Sequence, residues 1–132
     1  MANPKQVPDE LGEWFEVYNP GLVVIDMDGW TLADYHTNEY LISGSVLVPP
    51  GGYAVLGESS NAALNLGTPV DYAYGSGPTG FPLGNNTDEV VLISAGAVVI
   101  DSVAYDGGGA FPSAEGSSLN LDPAATSHFA ND

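Results

Sequence analysis

Glu13-Trp14-Phe15-Glu16-Val17-Tyr18-Asn19, followed by Pro20-Gly21, is the stretch on which the fold turns. In an extended strand successive side chains point to opposite faces. Phe15 and Val17 therefore share one face, flanked by Glu13 and Asn19, while Trp14, Glu16 and Tyr18 share the other. A buried Glu16 would be costly without a partner, so Phe15 and Val17 form the expected core pair. Asn19-Pro20-Gly21 then turns the chain, because Asn, Pro and Gly each suit a turn for a separate physical reason.

Working outward, the same signature returns at intervals of about a dozen residues, as expected of a sandwich or barrel. Leu22 to Ile25 is a second apolar run, and Asp28-Gly29 marks a turn before a strand at Trp30 to Ala33. Short strands are expected at Tyr40 to Ile42, Val46 to Val48, Tyr53 to Leu56 and Val70 to Tyr74, with Pro49-Pro50-Gly51-Gly52 as a stop. Glu89 to Ile93 and Ala97 to Ile100 flank Ser94-Ala95-Gly96 as a hairpin whose second arm continues to Tyr105. Both arms are apolar on both faces, which predicts strands covered on both sides. Ser117 to Leu121 is a last short strand. Helical periodicity is nearly absent; Glu58 to Leu66 is the best stretch and reads as one helical turn or an irregular loop. The expectation is an all-β sandwich of about seven to nine short strands in one domain over residues 1–132.

Charge narrows the function classes. Seventeen acidic residues face a single basic one, Lys5, for a formal net charge of −16. One cation cannot neutralise them, so they are hydrated, screened by salt or bound to metal ions. Such a surface repels phosphate backbones and anionic lipid, which argues against nucleic-acid partners. With no cysteine there is neither a disulfide nor a thiolate site. No stretch approaches the ~20 apolar residues that span a bilayer, so no direct membrane insertion is expected. No basic, then apolar, leader opens the chain, which leaves a cytoplasmic protein or a piece of a larger exported one.

Together these pieces resemble the bacterial lamin-tail domain. Glu13-Trp14-Phe15-Glu16-Val17-Tyr18-Asn19-Pro20 is similar to its opening signature and Gly29-Trp30-Thr31-Leu32 to its second. Val48-Pro49-Pro50-Gly51-Gly52-Tyr53-Ala54-Val55-Leu56-Gly57 is similar to the third. Asp88-Glu89-Val90-Val91-Leu92 with Asp101-Ser102-Val103-Ala104-Tyr105 is similar to the fourth. The resemblance covers about residues 1 to 125 and implies an immunoglobulin-like β-sandwich. It implies a non-catalytic accessory module of exported or cell-surface proteins, found beside hydrolase or nuclease domains, with a protein or cell-envelope component as partner. It also implies a missing first edge strand, since an apolar strand usually runs directly into the segment matching Met1-Ala2-Asn3-Pro4, and a missing tryptophan-containing strand after Asp132. The chain is therefore expected to be a fragment, less stable alone than when extended upstream by ~10 residues, about one strand with its lead-in.

No catalytic constellation is visible. Gly75-Ser76-Gly77-Pro78-Thr79-Gly80 spells a dinucleotide fingerprint, but Phe81-Pro82-Leu83-Gly84 follows where a helix would have to start. His36 and His128 are far apart and read as surface residues. Asn85-Asn86-Thr87 fits the glycosylation pattern, which is moot in a bacterial protein. No cofactor is expected, with Ca²⁺ as the alternative, because hard cations want several oxygen donors. The densest candidates are Asp26 and Asp28, and Asp9, Glu10 and Glu13; neither group matches a full EF-hand loop, and both read equally as hydrated turn residues. Tyr35, Tyr40, Tyr72 and Tyr74 are candidates for a flat platform binding sugar rings or a protein, although packing or cross-strand pairing explains most of them without function; the platform makes a calcium-dependent or carbohydrate-binding module the alternative function.

Overall fold

In the computed structural model, which describes residues 2–34, 38–106 and 115–118, the chain is nearly all β. A four-residue helix α1 (Asp9–Gly12) follows Pro8 and leads into β1 (Trp14–Tyr18). Then come β2 (Ile25–Asp26), β3 (Thr31–Ala33), β4 (Glu39–Leu41), β5 (Leu47–Val48), β6 (Tyr53–Gly57), β7 (Tyr72–Ala73), β8 (Thr87–Ile93) and β9 (Val99–Asp106). The strands form three sheets, ordered β1-β6-β7, β2-β5 and β4-β3-β8-β9, in a sandwich-like arrangement consistent with the immunoglobulin-like fold. All pairings are antiparallel except β6–β7.

The core between the sheets is built from Met27, Leu32, Ile42, Val48, Leu56 and Phe81, with Tyr74 and Leu92 beside them. Phe15 and Val17 pack against it and Glu16 is exposed, as the alternation of β1 requires. In the β1–β6 register Phe15 lies opposite Leu56 and Val17 opposite Ala54. Gly57, opposite Trp14, leaves room for this approach: a Cβ there would stand 3.0 Å from the Glu13 carbonyl oxygen and 3.1 Å from Val70. Gly29, at φ +76°, closes the turn in which the Trp30 N–H donates to the Met27 carbonyl (3.1 Å).

Two expectations change. Leu22 to Ile25 is not one strand: Leu22, Val23 and Val24 are exposed, and β2 starts only at Ile25. The Val23 carbonyl accepts a hydrogen bond from the Asn19 side chain, which takes this backbone out of a ladder. In the hairpin, β8 lies between β3 and β9 as a central strand should. The second arm instead forms the edge among the described residues, with Val98, Val99 and Ile100 exposed. Apolar composition reports burial only where a neighbouring layer exists to cover it. Glu58 to Leu66 is, as expected, a short irregular stretch, a run of turns in which the Leu64 and Asn65 N–H groups donate to the Asn61 carbonyl. Residues 119–121 of the last expected strand lie outside the described residues.

Candidate functional site

The alternation of β1 carries a polar residue into each end of the core. At one end is Asn19, 1% exposed. Its side-chain N–H groups donate to the Val23 carbonyl (2.8 Å) and the Val48 carbonyl (3.0 Å), and its side-chain oxygen accepts from the Gly21 N–H (2.9 Å). Its backbone N–H donates to Gly52 and its carbonyl accepts from Gly51. One side chain thus fastens the loop after β1 to β5, and one peptide fastens it to the loop before β6. Around this hub stand large apolar side chains in solvent: Leu22 at 95% exposure, Val23 at 72%, with Val24, Leu47 and Tyr53 each more than half exposed. Tyr18 and Tyr53, cross-strand partners, lie ring against ring at 4.8 Å. Leu22, Val23 and Val24 are consecutive, so their exposed side chains gather apolar surface of the kind that marks interaction sites.

At the other end of β1 sits Glu13, buried, with Glu58 directly beyond Gly57 on β6. The Glu58 N–H donates to the Glu13 carbonyl (3.1 Å), so the β1–β6 register runs on by one pair and sets the two glutamates opposite each other on the core face. Like charges so placed repel. The Glu13 carboxylate accepts from the Leu83 N–H (2.8 Å), while the Glu58 Oε2 and the Tyr74 hydroxyl are buried with no hydrogen-bond partner among the described residues. Burial pushes the Glu13 carboxyl up to about 8, against the Leu83 hydrogen bond and helped by the charges of Glu58 and Asp9. Glu58 is pushed up to about 7, again chiefly by burial and then by Glu10 and Asp9. Tyr74 and Tyr105 are raised too, first by burial and then by these carboxylates, with Asp88 acting on Tyr105. Near neutral pH Glu13 therefore keeps most of its proton and Glu58 about half, which lowers the charge held in an apolar wall.

The candidate cation ligands fall into separate structural roles. Asp26 accepts from the Asp28 N–H (3.1 Å), the Val46 N–H (3.0 Å) and the Ser45 hydroxyl (2.8 Å), and the Ser45 bond above all holds its carboxyl below the usual range. Asp28 accepts from the Gly44 N–H (2.8 Å). This pair pins the β4–β5 loop. Asp9 accepts from the Asn85 side chain (2.7 Å), and Asp9 and Glu10 on α1 act on the Glu13–Glu58 pair through their charge. Among the described residues no group of three or more His, Asp or Glu side chains is arranged to hold a metal ion.

For the described tyrosines the packing reading holds. Tyr74 is buried and Tyr40 and Tyr72 are half-buried; Tyr35 lies outside the described residues, as do His36 and His128. The Tyr40 and Tyr72 hydroxyls meet at 3.1 Å, Tyr40 meets Tyr74 edge-on, and Tyr74 packs against Phe15 and Phe81. Edge-to-face packing consumes the ring faces that a sugar would need. Gly75 to Gly80 forms a loop with a 3-10 turn at Gly77–Thr79, and residues 81–84 directly after it are not helical. Sequence reasoning passed over Asn19 and Glu58 as site residues. The signal was present for both, since each lies two positions from a core residue on its own strand, Val17 and Leu56.

The fold and these two ends define an immunoglobulin-like domain that offers surface, with its polar groups spent on loop fastening and on a buried acid pair. The chain belongs to the lamin tail domain family, whose profile matches residues 1–107. That family comprises immunoglobulin-like domains of the protein-interaction type and is not known for catalysis. No curated protein matches the chain.

Proposed function

We propose that the chain is a non-catalytic accessory module that tethers an exported or cell-surface bacterial protein to a protein or cell-envelope component, next to a hydrolase- or nuclease-type domain. The observation that carries this reading is the exposure of Leu22, Val23 and Val24 on loops fastened to the sandwich by Asn19. Rigidly presented apolar side chains lower the ordering cost of binding. Family membership supports an interaction role. The net charge of −16 supports a partner other than nucleic acid.

The test is a fusion. The chain is attached to an exported fluorescent reporter in a bacterial host, and the reporter held in the envelope fraction is compared with that shed into the medium. Retention through the chain is expected, and Leu22→Ser with Val23→Ser should release it. Equal shedding with and without the chain overturns the reading.

A further inference from the structure

The two stretches gathered by Asn19, residues 17–25 and 43–57, contain no charged residue in a chain with seventeen acids. Carboxylates stand one step in from them on both outer faces. Glu16 shares an outer face with Tyr18 and lies opposite Val55. The Val55 N–H is held by the Asp71 carboxylate at 2.8 Å. Asp26 lies opposite Leu47. An uncharged, exposed apolar end is thus ringed by Glu16, Asp26 and Asp71, all exposed. Lys5 lies away from it, within 3.8 Å of Glu115 near the opposite end of β1.

Building on the binding-module reading above, we infer that this end docks a protein segment whose apolar face is flanked by lysine or arginine. The apolar side chains supply the desolvated centre, and the carboxylate ring supplies steering and register. A second copy of the chain is a poor occupant. A two-fold contact would bring together two rims that each carry Glu16, Asp26 and Asp71, between molecules of charge −16 each. Anionic bilayers are repelled by the same charge.

The probe is a synthetic peptide with a leucine centre and lysine flanks, titrated into the isotope-labelled chain and followed by NMR. Two control peptides are used, one with glutamate flanks and one of lysine alone. The lysine-flanked peptide should shift Tyr18, Leu22, Val23, Leu47 and Tyr53 and lose affinity as salt is raised. Leu22→Ser with Val23→Ser should weaken it by about tenfold or more, as truncation of an interface centre does, with an unchanged melting temperature because both side chains are exposed. Equal binding of either control peptide, shifts centred elsewhere, stronger binding to zwitterionic vesicles, or dimerisation through this end overturns the inference. If the reporter fusion is retained through Leu22 and Val23 while the lysine-flanked peptide shows no preference, the charge argument falls and the tethering reading stands. If the fusion is shed as well, both fall.

Discussion

Replacing Glu13 and Glu58 by glutamine should remove a slope from the stability of this domain against pH. Both carboxyls take up protons more readily in the folded chain than when unfolded: Glu13 titrates at about 8 and Glu58 at about 7, against an ordinary 4.5. Below about pH 4.5 both states are protonated and the stabilisation is fully present. As pH rises the unfolded chain loses its protons first, so stability falls until pH passes the folded values, and levels off above about 8. At ~1.4 kcal/mol per pH decade, Glu13 alone sets a ceiling of ~5 kcal/mol. Charge coupling within the pair and water reaching the charged forms reduce this, so ~2–4 kcal/mol for the double variant at pH 8.5 is the working figure. Repulsion among the other acids also grows with pH, which is why the variant matters more than the raw profile. Urea unfolding at pH 5 and pH 8.5 is the assay. At pH 5 the Glu13→Gln, Glu58→Gln chain should match the parent within ~1 kcal/mol, since the glutamine carbonyl still accepts from the Leu83 N–H. At pH 8.5 it should be the more stable by the figure above. Parallel profiles for the two chains would refute the burial of this pair as its cause.

Asn19→Ala removes three side-chain hydrogen bonds and leaves the Val48 carbonyl without that donor, so a loss of ~2–4 kcal/mol is expected in chemical denaturation. Ala97 holds φ at +58° in the β8–β9 turn, and Ala97→Gly should raise stability by ~1 kcal/mol; a loss would show that the turn is not strained. Leu32 is fully buried in β3, and Leu32→Ala should cost ~2–5 kcal/mol and lower the melting temperature accordingly. Calcium and magnesium chlorides at equal ionic strength should raise the melting temperature alike, because the Asp26 and Asp28 oxygens already accept N–H and O–H donors. A saturating rise with calcium alone would establish a site.

The legible part of this fold is local. Alternation named the core face of β1, and turn chemistry at Asn19-Pro20-Gly21, Asp28-Gly29 and Pro49 to Gly52 set where the strands stop. Pairing across the chain was hidden. Nothing local says that Glu13 faces Glu58, because that depends on register between strands some forty residues apart. Without that register, Glu13 reads as an ordinary surface acid in a charge-dense stretch. Leu22 to Val24 misled for a related reason. An apolar run with two valines promises a strand, yet the Asn19 side chain, anchored on the distant Val48 carbonyl, also holds the Val23 carbonyl, and that outweighs an intrinsic preference worth ~1 kcal/mol at most. The tyrosines stayed open between packing and a platform, since composition cannot tell a ring face offered to solvent from one covered by another ring.

One strand thus feeds a polar residue into each end of the same core, and the two are satisfied by different means. Asn19 has no charge to lose and places its side-chain donors and acceptor on backbone groups. Glu13 and Glu58 depend on protons that leave between about pH 7 and 8. The loops at the Asn19 end should therefore hold their geometry across that range while the opposite end loosens. Affinity for the lysine-flanked peptide should accordingly respond to salt but stay flat from pH 6 to about pH 9, where lysine remains charged. An affinity that fell together with Glu13 deprotonation would mean that the two ends communicate through β1, against the independence expected of sites with no shared partner.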